Sequence, residues 1–255
     1  MPIAIIKNLK DDSHVETRIK QYEAIRNGKG FEIAKRLVIG KLLGENLVLM
    51  KYDLKPEYRA MESVENLQIP SEFNVKGNSE FIKFRNQLLN IEGRRAEYYF
   101  NQIFTLFPKD LIPERRVGHL AYDSFNNVFN LAYQLLFYKC YTALIKSHLE
   151  PYLGFLHNIQ YGRLSLVCDF QELYRNLIDD FLIGYCKNLR PEDFKAKEQM
   201  VNNKKGKRMF LENPDEMIAA LHAYFKKTVS IPRVKRFGEK QELESFIGEE
   251  AIARA

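Results

Sequence analysis

The segment 123–147 constrains the fold most, because it is apolar on nearly every side of a predicted helix. Its apolar residues include Val128, Phe129, Leu131, Leu135, Leu136, Phe137, Leu144 and Ile145. A helix that is apolar all round must be buried at the centre of a domain. Asn126, Asn130 and Tyr133 interrupt one side, and we expect them to hydrogen-bond to neighbouring helices.

Apolar residues at helical spacing predict further helices around this one. We expect them at about 15–27, 31–52, 79–107, 168–186 and 214–229, with Gly28 and Gly30 ending the first and Pro56 opening a shorter one. The second carries Ala34, Leu37, Val38, Lys41 and Leu42 on one side. Residues 1–7 look like one short strand, 71–78 like a loop and 209–211 like a short extended run. The fold class is mainly α, a multi-helix domain with a short N-terminal strand.

The composition is that of a globular protein. The 255 residues are 45% hydrophobic and 28% charged, and no apolar run reaches the roughly 18 residues of a membrane span. We therefore expect no membrane partner and no signal peptide. Cys140, Cys168 and Cys186 are scattered and odd in number, which favours core thiols in a reducing cytoplasm. The net charge of +6 is mild support for a polyanionic partner.

Glu92 is anomalous, because a helical wheel places it on the apolar face of the helix 79–107. That face carries Phe81, Phe84, Leu88, Tyr99, Ile103 and Phe107. A carboxylate on an apolar face is costly unless it is paired, protonated or bound to a metal. An ion pair with Arg94 or Arg95 is the structural alternative to a metal site.

The stretch 148–175 concentrates the other candidate ligands. His157 follows an apolar turn, and Asp169 and Glu172 lie three residues apart on one face of a predicted helix. An N-terminal Asp and a first-turn Glu would also cap a helix and complement its dipole.

Glu92, His157, Asp169 and Glu172 together would form a hard, mostly oxygen site suited to Mg²⁺ or Mn²⁺. Such a site serves phosphoryl chemistry, in which the attacking hydroxyl is water in hydrolysis or a DNA 3′-OH in strand transfer. The residues leave both reactions open. The sequence has no GxxxxGK[ST] loop, GxGxxG, CxxC or GxSxG motif.

Several segments resemble, in order, the motifs of the CRISPR-associated integrase family Cas-one. The stretch RIKQYEAIRNGKGFEIAKRLVIGKLL resembles its opening helices, IEGRRAEYYF its signature with the metal glutamate, and LEPYLGFLH the signature that ends in the metal histidine. The stretch DSFNNVFNLAYQLL resembles the motif D-x-x-N-x-x-x-N-x-x-Y, and SLVCDFQELYR resembles D-x-x-E-x-[FY]-R. The resemblance covers about residues 13–230.

This resemblance implies that Glu92, His157 and Glu172 bind the metal directly. Asp169 would be a nearby catalytic carboxylate that either supports these ligands or binds the metal when DNA is bound. It implies a DNA endonuclease and integrase that inserts foreign DNA fragments into a CRISPR array by transesterification from a 3′-OH. The implied partners are double-stranded and branched DNA, a second copy of the chain, and a small partner dimer, Cas-two.

Basic side chains are the candidates for sequence-independent contacts to DNA phosphates. They are Arg94, Arg95, Arg163, Arg175, Lys204, Lys205, Lys207 and Arg208. The structural alternative for each is a solvated surface charge.

The resemblance also divides the chain. Residues 1–12 would be the last strand and linker of the family's N-terminal β domain, 13–230 the helical catalytic domain, and 231–255 a charged tail. Gly44, Glu45 and Asn46 stand where the family often has an asparagine–glutamine pair, and Phe100 where it often has Trp. The alternative function is a non-catalytic helical scaffold that binds DNA or a partner protein after loss of the β domain.

Overall fold

The structure is a computed structural model and describes residues 15–70, 79–118, 121–201, 204–226, 228–230 and 240–242. Within these ranges the chain is mainly helical. The helices are α1 (Val15–Arg26), α2 (Lys29–Lys51), α3 (Arg59–Glu65), α4 (Ser79–Ile103), α5 (Ser124–Lys146), α6 (Ser165–Glu172), α7 (Arg175–Cys186) and α8 (Pro214–Lys226). The strands are β1 (Phe194–Val201), β2 (Lys204–Leu211), β3 (Thr228–Ser230) and β4 (Lys240–Glu242). None of the helices in these ranges has the length and apolar character of a membrane span.

Helix α5 lies in the core, as its apolar composition predicts. Buried side chains occur along its length, and it packs against α6, α7 and β2. The Asp123 side chain caps its start by accepting a 2.8 Å hydrogen bond from the backbone N–H of Asn126. Because α5 supports α6 and α7, it fixes the position of the segment that carries Asp169 and Glu172.

The polar side chains on α5 are hydrogen-bonded. The expectation of partners on neighbouring helices is confirmed for Tyr133, whereas Asn126 and Asn130 bond to the non-helical segment 115–117 before α5. Arg116 donates to Asn126 Oδ1 at 2.9 Å and to Asn130 Oδ1 at 2.7 Å. The Tyr133 hydroxyl donates to Asp179 Oδ1 on α7, whose other oxygen accepts from the Tyr99 hydroxyl of α4 at 2.9 Å. One buried carboxylate thus joins three helices.

Several predicted helix boundaries are wrong. The predicted helix 79–107 ends at Ile103, and the predicted helix 214–229 ends at Lys226, with Val229 in β3.

The glycines between the first two helices and a turn near the end of α6 account for the other differences. Gly28, with φ of 80°, separates α1 from α2, whereas Gly30 lies inside α2. The predicted helix 168–186 is two helices, since Leu173 and Tyr174 form a turn. Their backbone N–H groups donate three residues back, to Phe170 and Gln171, so the helix tightens and stops there. Periodicity misses this break because both helices bury apolar faces.

The hairpin of β1 and β2 is absent from the sequence prediction, which has only a short extended run at 209–211. The two strands pair antiparallel from Phe194 opposite Leu211 to Val201 opposite Lys204. The hairpin is tied to α5, because the Asn127 side chain donates to the Met209 carbonyl at 2.7 Å. Its alternating basic and polar residues carry little apolar signal.

Some predictions fall outside the described residues: the strand at 1–7, the loop at 71–78 and most of the tail at 231–255. Within the tail, β4 pairs antiparallel with β3. The proposed division of the chain into three parts stays a prediction.

Gly154 permits a close approach between the loop before His157 and the start of α6. A Cβ atom at Gly154 would lie 2.7 Å from Ser165 Cβ and 2.8 Å from the Ser165 carbonyl carbon. The same region is joined by a 3.0 Å hydrogen bond from Leu166 N to Pro151 O. The loop and α6 therefore depend on a residue without a side chain at 154.

We predict that Gly154→Ala lowers the free energy of unfolding by about 1–3 kcal/mol, because the added methyl group meets backbone atoms that cannot move independently. Urea unfolding followed by circular dichroism measures this change.

Gly184→Ala is the matched control, since a Cβ at Gly184 in α7 meets nothing within 4 Å. It should leave stability unchanged or raise it by up to about 1 kcal/mol through helix propensity. Equal unfolding midpoints for the two variants would contradict the proposed close contact.

Candidate active site

A buried ion-pair cluster joins α2, α4 and α6. The Lys41 ammonium of α2 contacts Glu92 Oε1 of α4 and lies 2.7 Å from Glu172 Oε2 of α6. The Lys41 and Glu172 side chains are each 7% exposed, and that of Glu92 is 19% exposed. Two of the predicted ligands, far apart in sequence, thus meet at one cation supplied by the chain itself.

The partner of Glu92 differs from the arginines considered as its structural alternative. Arg94 is exposed, and its Nε donates to the Asn90 carbonyl of the same helix. Arg95 is buried and donates to Asn46 Oδ1 at 2.6 Å, with the carboxylates of Glu45 and Glu57 nearby. Glu92 pairs with Lys41 because α2 presents that ammonium directly to its face of α4.

Opposite charges keep this cluster ionised despite its burial. Burial alone would raise the pKa of Glu172, but Arg175 and Lys41 outweigh it and lower that pKa to about 2. The Arg175 Nη2 atom lies 3.1 Å from Glu172 Oε1. Burial would lower the pKa of Lys41, but the charges of Glu172 and Glu92 raise it above its ordinary value. Both groups are therefore charged at neutral pH.

Asp169 holds the loop that carries His157. Its fully buried carboxylate accepts backbone N–H bonds from Phe155 at 2.5 Å, Leu156 at 2.9 Å and His157 at 2.8 Å. Its Oδ1 also lies 2.7 Å from His157 Nδ1. Asp169 lies inside α6 and caps no helix N-terminus, contrary to the structural alternative.

The pairing of Asp169 with His157 defines which imidazole nitrogen is available to a ligand. A carboxylate can only accept, so Nδ1 carries the proton and donates it to Asp169 in the neutral imidazole. This leaves the lone pair of Nε2 for another partner. A histidine fixed by a carboxylate in this way is the usual arrangement of a metal-binding imidazole.

The donors present fit a hard divalent cation. Glu172 Oε2 is buried and lies 2.7 Å from the Lys41 ammonium, which leaves one of its lone pairs for another ligand. His157 is close enough for its charge to help lower the pKa of Glu172. In the described part of the chain, no three His, Cys, Asp or Glu side chains form a ready metal-holding group. Glu92 and Glu172 instead face the Lys41 ammonium.

The predicted DNA-contacting residues fall into two groups. Arg94 and Lys207 are exposed, and Arg163 and Arg175 are half-buried, with Arg175 beside the cluster at Glu172. The Arg175 guanidinium also lies 4.8 Å from the centre of the Tyr133 ring. These four remain candidates for contacts to phosphates.

The other predicted contacts need correction or lie outside the described side chains. Arg95 is buried by its bonds to α2, and Arg208 donates to the Ala121 carbonyl at 2.7 Å and to Asn127 Oδ1 at 2.9 Å. Both guanidinium groups therefore hold the fold together. The side chains of Lys204 and Lys205 are outside the described set.

Sequence reasoning missed Lys41 and its neighbour Glu45. Lys41 was assigned to the apolar side of α2, where a lysine is as unexpected as Glu92 is on α4. Glu45 follows one helical turn later and is also buried. Burial raises the pKa of Glu45 to about 7, although Lys41 and Arg95 oppose that shift.

Comparison with curated proteins shows which sequences this chain resembles. A CRISPR-associated endonuclease Cas1 of Thermodesulfovibrio yellowstonii is 30% identical over 71% of this chain and 58% of its own length. A second, from Korarchaeum cryptofilum, is 26% identical over 76% of this chain and 60% of its length. The chain thus spans about three fifths of each of these relatives.

Solved structures share the fold at lower identity. A casposase bound to integration product superposes with a TM-score of 0.75 and 19% identity, over 94% of this chain and 64% of that one. A Cas1 protein from Thermotoga maritima gives 0.72 and 19%, over 91% and 67%. A Cas6-RT-Cas1–Cas2 complex gives 0.71 and 17%, over 97% and 26%.

The sequence model of the family described as CRISPR associated protein Cas1 matches residues 1–216. This match covers α1 to α7, the hairpin and the start of α8, and includes every residue of the cluster. The chain therefore belongs to the Cas1 family.

Proposed function

We propose that this chain acts as a divalent-metal-dependent DNA endonuclease and integrase in CRISPR adaptation, inserting foreign DNA fragments into a CRISPR array. The observation that supports it best is the convergence of Glu92 and Glu172, from two distant helices, on one buried cation. Family membership supports the CRISPR setting, and the relatives named endonucleases support phosphodiester chemistry.

Glu92, Glu172 and His157 would hold Mn²⁺ or Mg²⁺ through two carboxylates and the free Nε2 atom. When bound, the cation supplies positive charge to a phosphate oxygen and eases ionisation of the attacking hydroxyl. The imidazole ligand favours Mn²⁺ slightly over Mg²⁺. The low pKa of Glu172 keeps that ligand ionised at neutral pH.

The reaction itself exchanges one phosphodiester bond for another. The 3′-oxygen of the incoming DNA would attack a target phosphorus, and the bond from that phosphorus to the target strand's 3′-oxygen would break. The attacking hydroxyl loses its proton, and the departing 3′-oxygen gains one. With water as the attacking group, the same site would cleave DNA.

Asp169 would serve as a positioning residue for His157. It is fully buried, so it cannot contact DNA in this conformation, and it fixes both the backbone and the imidazole of residue 157. This is one of the two roles that the family resemblance implies, the other being a metal ligand when DNA is bound. Loss of such an outer partner typically weakens a metal site about 10- to 100-fold.

DNA would contact Arg94, Arg163, Arg175 and Lys207 through its phosphates. The similar casposase is described as bound to integration product, and another similar structure is a complex with Cas2. These likenesses support double-stranded and branched DNA and a Cas2 dimer as partners. A second copy of the chain completes the proposed assembly.

We predict that Glu92→Gln and His157→Asn each reduce Mn²⁺-dependent cleavage of branched DNA by on the order of 100-fold or more, because a direct ligand matters at least as much as an outer partner. Both substitutions keep the side chain polar and similar in size. Initial cleavage rates at saturating Mn²⁺ measure the effect.

Exposed residues of the same types provide controls. Glu97→Gln on α4 and His222→Asn on α8 are the same substitutions at exposed positions, and both variants should retain the original cleavage rate. If Glu92→Gln and His157→Asn also cleaved at the original rate, the ligand assignment would be wrong.

We predict that Arg94→Ala and Lys207→Ala each weaken DNA binding equally on unrelated sequences, because phosphate contacts carry no base information. The slope of log K against log salt should become shallower by about 0.9 for each lost contact to duplex DNA. Fluorescence anisotropy across a salt series measures it. Lys109→Ala, also exposed, should keep the full slope, and an unchanged slope in the first two variants would remove them from the interface.

A helical scaffold without catalysis is the second candidate. It is favoured by one observation, that Lys41 already neutralises both carboxylates as a purely structural ion pair would. DNA binding that persists in Glu92→Gln, together with an absence of Mn²⁺-dependent cleavage by the unsubstituted chain, would support the scaffold.

A further inference from the structure

The Lys41 ammonium stands where a divalent cation would have to bind if Glu92 and Glu172 are its ligands. It contacts Glu92 and lies 2.7 Å from Glu172 Oε2. A divalent cation bound to the same oxygen atoms would lie close to the ammonium, and the two positive charges would repel each other strongly in a buried site. Binding of a metal by both carboxylates therefore favours a movement of Lys41 away from them.

The oxygen atoms of Glu172 have accepting capacity beyond their present contacts. The Lys41 ammonium lies 2.7 Å from Oε2, and Arg175 Nη2 lies 3.1 Å from Oε1. An ionised carboxylate has about four lone-pair positions on its two oxygen atoms. Each oxygen atom therefore retains a lone pair for a further ligand.

A second carboxylate is available to a displaced Lys41. Glu45 lies one turn further along α2, and its charge is among those that raise the pKa of Lys41. Its Oε2 is buried without a hydrogen bond among the described residues, and Arg95 Nη1 is 3.7 Å away. An ammonium that moved toward Glu45 would meet a buried carboxylate whose ion pair with Arg95 is long and not hydrogen-bonded.

Space for this movement exists beside the cluster. A cavity of about 10 Å³ is lined by Lys41, Glu45 and Glu172, among other residues. This is near the volume that accommodates one water-sized group, and an ammonium is of that size. The lysine stem is flexible enough to redirect its end without moving α2.

We propose that Lys41 is a positioning residue that occupies the site in the metal-free chain, holds Glu92 and Glu172 together, and moves to Glu45 when a divalent cation binds. This inference rests on the metal site of the proposed function. The free energy of metal binding would then be reduced by the free energy of the Lys41 ion pairs, because the divalent ion must replace them. Without Glu45, the displaced ammonium would be buried and unpaired, which is costly.

The test is isothermal titration of the full chain with Mn²⁺. Lys41→Met keeps the length of the side chain and removes its charge, so Mn²⁺ should bind on the order of 10-fold more tightly. Glu45→Gln removes the negative charge that would neutralise the displaced ammonium, so Mn²⁺ should bind on the order of 10-fold more weakly. Lys29→Met, an exposed change at the start of the same helix, should match the unsubstituted chain.

A second readout guards against a variant that merely folds poorly. Mn²⁺ should raise the melting temperature of Lys41→Met by more than it raises that of the unsubstituted chain, because tighter binding gives greater stabilisation. Far-ultraviolet circular dichroism checks that the helices are retained.

The outcomes separate this inference from the function it rests on. Mn²⁺ affinity in Lys41→Met equal to or below that of the unsubstituted chain would overturn the displacement while leaving the metal site intact. Unchanged affinity in Glu45→Gln would overturn Glu45 as the receiving carboxylate. An unsubstituted chain that binds no Mn²⁺ would remove both the metal site and the role of Lys41.

Discussion

The ion pairs of Lys41 are the constraint on which the arrangement of α2, α4 and α6 depends. A buried ammonium is tolerated only beside carboxylates, and buried carboxylates only beside cations or donors. Lys41, Glu92 and Glu172 therefore require one another, and each comes from a different helix. Removing one charge would strand the others in the interior, which is why this cluster fixes the three helices more specifically than apolar contacts alone.

A second buried carboxylate, that of Asp169, fixes the loop that carries His157. Asp169 collects three backbone N–H groups and the His157 imidazole within one turn of Glu172 on α6. Because α6 carries both acids, their relative position is set by helical geometry. The short helix, ended by the turn at 173–174, also lets Arg175 reach Glu172 from the start of α7. One short element thus positions His157, Glu172 and Arg175 together.

The sequence is sufficient to predict the central helix and the anomaly of Glu92, since both depend on which residues share a helical face. The same reasoning also indicates Lys41 as the partner of Glu92. Lys41 lies among Ala34, Leu37, Val38 and Leu42, and two opposite charges on two apolar faces are expected to pair. Which helices pack against each other depends on the tertiary fold, however, and the spacing of residues within each helix does not predict it.

The missed elements have equally physical explanations. The β1–β2 hairpin alternates lysines with few apolar residues and is held by backbone pairing and by bonds from Asn127 and Arg208. The turn at 173–174 changes the chain direction without interrupting the apolar pattern. Arg95 and Arg208 look like surface charges in sequence, but their guanidinium groups satisfy interior carbonyl and amide oxygens. Charge alone cannot distinguish a buried arginine from an exposed one.

Glu45 is a buried acid close to both Lys41 and Arg95. A neutral amide in its place would need no counter-ion. As a buried carboxylate it lies between Lys41, one turn away, and Arg95, whose Nη1 atom is 3.7 Å from its Oε2. Helix α2 therefore buries an acid, Glu45, that the ion pairs of Lys41 with Glu92 and Glu172 do not use. A chain with that extra acid can keep a displaced ammonium neutralised inside the fold, so exchange of the cation at Glu92 and Glu172 need not expose any charge to an apolar surrounding.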